Sequence, residues 1–338
     1  MKERPLYFIS EYAEDYFFHG GIGIIDAERI LEQQGFQPIR LPFHFSFSLW
    51  AKLSRLWYCV KLIFSIERNA AVVFIHPLHA RLNNWLVSFL NRRKVRIICM
   101  IGDIDGLKDG DRKLLEHEIK LLSRFQYFIV HNQGMLDWLN AYIPGRKAEL
   151  IEFFDFLTSP ASRQLLVERE IVFAGNLDKS KFLLDLQRLP LHFNLYGPGI
   201  NLQMQDQSNV TYHGIFDPYE LPGKLHGSFG LVWDGESVDE MKGSLGDYMQ
   251  YISHHKLSLY ILAGLPVITA CSSGASALVK KYRIGFCVDS LSEISDRMNK
   301  LTRVQYQEMV DNMQPLANRI ANGNCLSAAL ERLMLRLN

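Results

Sequence analysis

The sequence predicts an α/β protein of two domains, each a parallel sheet covered by helices. Three observations carry this. The chain has 338 residues, too many for one small core and the length of two ordinary domains. Short β-rich apolar runs alternate with longer amphipathic segments from end to end, as doubly buried strands and their crossover helices do. The alternation breaks once, in IEFFDFLTSPASRQLLVERE, where Pro160 and the small residues around it interrupt it before a new series of strands begins. The chain is thus expected to divide into residues 1–158, residues 168–315 and a helical segment, residues 316–338, that packs back toward the first domain.

In the first domain the strands are expected in PLYFIS, FQPIRLP, AAVVFIHP, VRIICMIGD and YFIVHN. Helical patterns separate them. IIDAERILEQQGF carries Ile24, Ile25, Ile30 and Leu31 and stops at the capping Gly35, and RLNNWLVSFLNRRK and LLEHEIKLLSRF read as further crossover helices. FHFSFSLWAKLSRLWYCVKLIF interleaves Phe45, Trp50, Leu53, Trp57, Val60 and Phe64 with Lys52, Arg55 and Lys61. That composition suits a buried helix on one reading and a peripheral membrane contact through Trp50–Phe64 on the other. The second domain is expected to place strands in EIVFAGNL, LHFNLYGPG, NVTYHGIF, FGLVWDG, LPVITA and GFCVDS. Its helices fall in SKFLLDLQRL, PYELPGKLH, KLSLYILA and SALVKKY.

With 37 basic against 36 acidic residues and 48% apolar residues, the composition speaks against disorder and against general affinity for nucleic acid. The five cysteines, Cys59, Cys99, Cys271, Cys287 and Cys325, are scattered and lack a CxxC pair, which suits reduced thiols in a cytoplasm. The N-terminus meets acidic residues before any long apolar run, and no segment approaches 18 uncharged apolar residues. A soluble or peripheral protein is expected, cytoplasmic or at the inner face of the membrane.

The segment SHHKLSLYILAGLPVIT carries the main chemical signal. Ser253 can cap a helix whose first turns hold His255, Lys256 and Ser258, and a helix N-terminus with a lysine attracts a phosphate. Gly264 and Pro266 turn the chain tightly back into the strand PVIT, so the helix start is expected at a cleft between the domains. A lysine in such a place also serves as a plain solvated residue. Gly20 and Gly21, in HGGIGIIDAERI, let backbone amides approach a phosphate, or form a simple loop. In FAGNLDKSK, Asn176 and Lys179 stand where a strand ends and could reach a nucleotide. GLVWDGESVDEMKGSLGDYMQY offers Asp234 and Tyr248 as sugar contacts on a long polar loop.

Asp103 and Asp105, in GDIDG, have the spacing of a metal-holding pair, but two acids in a turn after a buried strand are common turn formers. Asp103 is better taken as a general base toward an acceptor hydroxyl, with His19 as its rival.

These same residues carry a resemblance. GSFGLVWDGES, GDY and HHKLSLYILAGLPVI, with FAGN and YGPG in order before them, closely resemble a family of bacterial GT-B glycosyltransferases. That family includes β-1,6-galactofuranosyltransferases and a glucosyltransferase acting on serine-rich adhesins. The likeness runs strongly from Phe173 to Val288 and is weaker in the first domain, where Gly102 stands in place of the histidine of a His-Asp pair. It implies two Rossmann-like domains facing across a cleft, a UDP-sugar donor held by the second, a glycan or lipid-linked glycan acceptor held by the first, and no required metal or cofactor. Lys256 then matches the phosphate-binding lysine, and Lys179 stands where a relative carries an arginine. ACSSGASALV lacks the glutamate that many GT-B enzymes use on ribose. The expected activity is transfer of a hexosyl group, galactofuranosyl first among them, to a bacterial surface glycan with inversion. A sugar-nucleotide epimerase or hydrolase, and a non-catalytic assembly protein, are the other readings.

Overall fold

A computed structural model of the chain describes residues 4–10, 21–40, 48–77, 81–161 and 170–337. It resolves into two compact units. The first comprises residues 1–131, 136–151 and 326–338, and the second residues 132–135 and 152–325. The passage from the first to the second thus falls at 151/152, ahead of the interruption around Pro160, and the chain re-enters the first unit at Leu326.

The first unit holds the strands β1 (Leu6–Ser10), β2 (Gln37–Arg40), β3 (Ala71–His76), β4 (Arg96–Ile101), β5 (Tyr127–Val130) and β6 (Lys147–Leu150). All pair in parallel, in the order β2-β1-β3-β4-β5-β6. The helices between them are α1 (Ile22–Gln33), α2 (Leu49–Ser65), α3 (Arg81–Arg92), α4 (Asp105–Lys108), α5 (Arg112–Leu122) and α6 (Gln133–Tyr142), of which residues 133–135 group with the second unit. Every residue of AVVFIH in β3 is buried, which is why that run shows no polar alternation. Phe74 on β3 meets Phe125 edge to face at 5.7 Å, and Phe125 meets Phe128 of β5 at 6.1 Å. Such fully buried aromatic and branched side chains contribute roughly 1.5–3 kcal/mol each.

The second unit holds β7 (Glu170–Ala174), β8 (His192–Tyr196), β9 (Val210–Tyr212), β10 (Phe229–Val232), β11 (Val267–Ala270) and β12 (Gly285–Val288). This sheet is also parallel throughout, in the order β12-β11-β10-β7-β8-β9. Its helices are α7 (Leu202–Gln205), α8 (Leu221–Lys224), α9 (Ser244–Tyr248), α10 (His255–Leu262), α11 (Gly274–Tyr282), α12 (Ile294–Lys300) and α13 (Arg303–Ala321). KFLLDLQR, expected as helical, forms a 3₁₀ helix over Lys181–Arg188. The last helix, α14 (Asn324–Met334), runs into the closing segment of the first unit. There Arg332 Nε donates to Glu149 Oε2 at 2.8 Å, and Arg336 lies 3.0 Å from the other oxygen.

Strand order reverses between β7 and β10, because the chain builds outward from β7 on one side and resumes at β10 on the other. In an open parallel sheet the connections leave such a point in opposite directions and open a crevice beyond the carboxyl ends of the strands. Residues 173–176 and 232–235 occupy that position.

Candidate active site

The reversal point is shaped by side chains that are absent as much as by those present. At the end of β8, Gly197 has φ +122°, and a methyl there would come within 2.0 Å of the Gly175 carbonyl oxygen. No other residue fits, so the turns after β7 and β8 close onto each other backbone to backbone. Gly175 in turn lies against Lys256, whose Cε would stand 2.8 Å from an added methyl.

Lys256 reaches this point from α10. The helix stops in a Schellman turn at Gly264, φ +67°, where Leu265 N donates to Tyr260 O at 2.9 Å and Gly264 N to Ile261 O at 3.1 Å. At its other end His254, not Ser253, is the N-cap, and its Nδ1 accepts from Lys256 N at 3.4 Å. Tyr260 accepts a hydrogen bond from Ala174 N at 2.9 Å, which fixes α10 against the end of β7. The Tyr260 ring also lies over Gly230 of β10, where an added methyl would come within 2.1 Å of it, so the helix is held at both strands of the reversal.

The Lys256 ammonium lies 3.0 and 3.2 Å from the two oxygens of Asp234, the second residue after β10, and 4.1 Å from the centre of the Phe173 ring. His254 Nε2 is 3.3 Å from the same carboxylate, and Ser180 donates to it at 3.2 Å. Burial alone would raise the Asp234 pKa, but the Lys256 charge and the His254 contacts outweigh it and hold the carboxyl well below the usual range. Asp234 thus stays ionised and anchors the Lys256 ammonium, with two of its three N–H directions spent on the pair. The third can serve a further anion, while Lys256 N and Leu257 N in the first turn of α10 are already bonded to His254.

The other candidates separate clearly. Asn176 and Lys179 are exposed on the turn after β7, with Asn176 Oδ1 accepting from Asp178 N at 3.1 Å. Asn176 belongs to the reversal point, and Lys179 follows it three residues further along the same turn. Asp234, expected as a sugar contact, is instead buried as the partner of Lys256, because a buried ammonium needs a counter-charge. Ser258 is fully buried and donates to Phe154 O at 2.5 Å, and Tyr248 is likewise enclosed, so both belong to packing. The polar loop expected around Tyr248 contains the short helix α9. His255 packs on Phe156 at 4.7 Å with Nε2 sealed and unpartnered, and burial holds its pKa down to about 4. An imidazole kept neutral in this way does not add positive charge beside Lys256.

In the first unit, Gly21 is the N-cap of α1, and its carbonyl accepts from Ile24 N and Ile25 N, both at 3.1 Å. His19 and Gly20 lie outside the described residues. Asp103 is half-buried just beyond β4, with Oδ2 accepting from Lys108 Nζ at 2.7 Å. Two further groups escape sequence reasoning. Glu118, on α5, accepts from Asp105 N at 3.0 Å and Gly106 N at 2.8 Å and lies 3.1 Å from His76 Nε2. It thereby fastens the turn that carries Asp103, while the His76 carbonyl accepts from Gly102 N and Asp103 N. Glu28 receives the Ser10 hydroxyl at 2.9 Å at the end of β1, and burial raises its pKa to about 7 against that bond. Both lie on amphipathic helices, where a lone glutamate looks like one more solvated charge.

Two parallel Rossmann-type units, one with a lysine-bearing helix start at its strand reversal, define a glycosyltransferase of the GT-B class. The comparisons with known proteins agree. Residues 8–142 match the N-terminal domain, and residues 171–333 the C-terminal domain, of the Glucosyltransferase 3-like family, to which the chain belongs. The β-1,6-galactofuranosyltransferase WbbI of Escherichia coli is 29% identical over 298 residues, covering 85% of this chain and 87% of its own. Glucosyltransferase 3 of Streptococcus gordonii is 24% identical over 305 residues, covering 88% and 89%. Among solved structures, sucrose-phosphate synthase of Thermosynechococcus elongatus superposes with a TM-score of 0.67 at 14% identity over 99% of both chains. HepE of Anabaena, determined with UDP-glucose, gives 0.62 at 14% identity over 98% of this chain and 100% of that one.

Proposed function

We propose that this chain transfers a hexosyl group, galactofuranosyl first among them, from a UDP-sugar to a hydroxyl of a bacterial surface glycan. The observation that carries the reading is the Lys256–Asp234 pair at the strand reversal of the second sheet, beneath the start of α10. There the diphosphate meets the remaining N–H of Lys256 at the positive end of α10, with Lys179 and Asn176 reaching the nucleotide from the turn after β7. These groups neutralise charge that builds on UDP as the glycosidic C–O bond breaks, and one preorganised donor contributes about 3–4 kcal/mol of barrier lowering. Protein cations perform this work without a metal.

The first unit holds the acceptor. Asp103, oriented by Lys108 and by the turn that Glu118 fastens, takes the proton from the attacking hydroxyl. The oxygen forms its bond to the anomeric carbon in a single displacement, so configuration inverts. A galactofuranosyl donor is favoured by the activity named for the E. coli relative; the streptococcal relatives make UDP-glucose the second choice. A lipid-linked glycan is a fitting acceptor, which places the enzyme in the cytoplasm at the inner face of the membrane.

The test is UDP release by the purified chain from UDP-galactofuranose, UDP-galactose and UDP-glucose, with and without acceptor glycan. Acceptor-dependent release, highest with UDP-galactofuranose, is expected. Release that ignores the acceptor identifies a hydrolase, and failure to bind UDP at all identifies a non-catalytic protein.

A further inference from the structure

We propose that helix α2 of the first unit is a docking face for an anionic lipid bilayer. Trp50, Trp57 and Phe64 are 82%, 70% and 79% exposed, and Leu53 and Val60 lie between them on the same stripe. More than half of the large apolar side chains that stand exposed among the described residues belong to this one helix. Cys59 and Leu62, on its other side, are buried and fix it to the unit. The helix is therefore seated, with its most hydrophobic side facing water. An apolar stripe this concentrated marks an interaction surface.

The charge pattern selects the occupant. The α2 segment contains Lys52, Arg55 and Lys61 and no acidic residue, within a chain whose net charge is only +1. The adjoining α3 segment, residues 81–94, also lacks any acid; it exposes Trp85 and, near its end, Arg92 and Lys94. A second copy of this face would oppose cation to cation. Phosphate head groups over hydrocarbon match both features, with tryptophans at the level of the head groups and lysines reaching the phosphates. No described helix is long and apolar enough to cross a membrane, so α2 would lie in the plane of the surface.

Vesicle co-sedimentation without nucleotide or glycan tests this independently of the transferase reading. Vesicles of phosphatidylcholine mixed with phosphatidylglycerol should bind the chain in a salt-sensitive manner, and phosphatidylcholine alone should bind it far less. Lys52→Glu/Lys61→Glu and Trp50→Ser/Trp57→Ser should each weaken binding at least about tenfold, with thermal melting unchanged. Lys113→Glu/Lys120→Glu, on exposed positions of α5, should bind as the native chain does. The proposal is overturned if the mixed vesicles fail to bind, or if the α5 variant loses as much as the α2 variants. It is overturned equally if sedimentation velocity finds a dimer that Trp50→Ser/Trp57→Ser dissociates and no vesicle binding.

Discussion

Lys256 and Asp234 form a buried ion pair, with Nζ 3.0 and 3.2 Å from the carboxylate oxygens, where the order of the second sheet reverses. Removing one partner leaves the other charged and buried. Asp234→Asn and Lys256→Met are each expected to cost about 3–5 kcal/mol in urea denaturation. The double variant Lys256→Met/Asp234→Leu should recover most of that stability and none of the UDP binding, since the apolar pair satisfies packing but offers no donor. Recovery of both would show that the pair is structural only.

The glycines of the two turns should respond differently. Gly197→Ala drives a methyl into the Gly175 carbonyl at φ +122°, and a cost of about 1–3 kcal/mol is expected by denaturation. Gly175→Ala also strains the backbone, at φ +155°, but its methyl meets the end of Lys256, so calorimetry should register weaker UDP binding together with a loss of stability.

Glu28 yields a pH signature. Its carboxyl is raised from 4.5 to about 7, so the folded state keeps a proton that the unfolded chain releases. The stability this contributes is complete below pH 4.5 and is lost as pH rises to about 7, beyond which the loss levels off. Partial solvent exposure limits the effect to roughly 1–2 kcal/mol. Glu28→Gln should therefore match the native chain at pH 4 and exceed it in melting temperature at pH 8. Parallel melting curves at both values would contradict the assignment.

Asp103→Asn should lower turnover by about 10²–10⁴-fold while UDP affinity holds, measured by acceptor-dependent UDP release and calorimetry. Its pairing with Lys108 is partly exposed, so stability should change by less than about 1 kcal/mol.

How much of this was legible in the sequence follows from the range of each interaction. The strands of the second sheet announce themselves as short apolar runs ending in glycine or a polar turn, and Gly264 marks the end of α10 because a Schellman turn is a local event. β6 escaped notice because KAEL is half charged at a sheet edge, and α6 because it starts directly after the strand YFIVHN. At the site, Lys256, Asn176 and Lys179 were visible as residue types at strand and helix ends. Their grouping was not, for Asp234 stands 22 residues from Lys256 and looks in sequence like a loop acid free to touch a sugar. The two meet because the chain leaving β10 returns over that strand's end to start α10, a path of 22 residues that no local pattern spans. The Glu118 clamp beneath Asp103 is hidden for the same reason, since its partners come from β3 and the start of α4.

The most direct test of the central claim is a crystal structure of the chain with UDP. The diphosphate is predicted within hydrogen-bond distance of Lys256 Nζ at the start of α10, beyond the ends of β7 and β10. Density for UDP elsewhere, with Lys256 and Asp234 still enclosed and untouched, would contradict it.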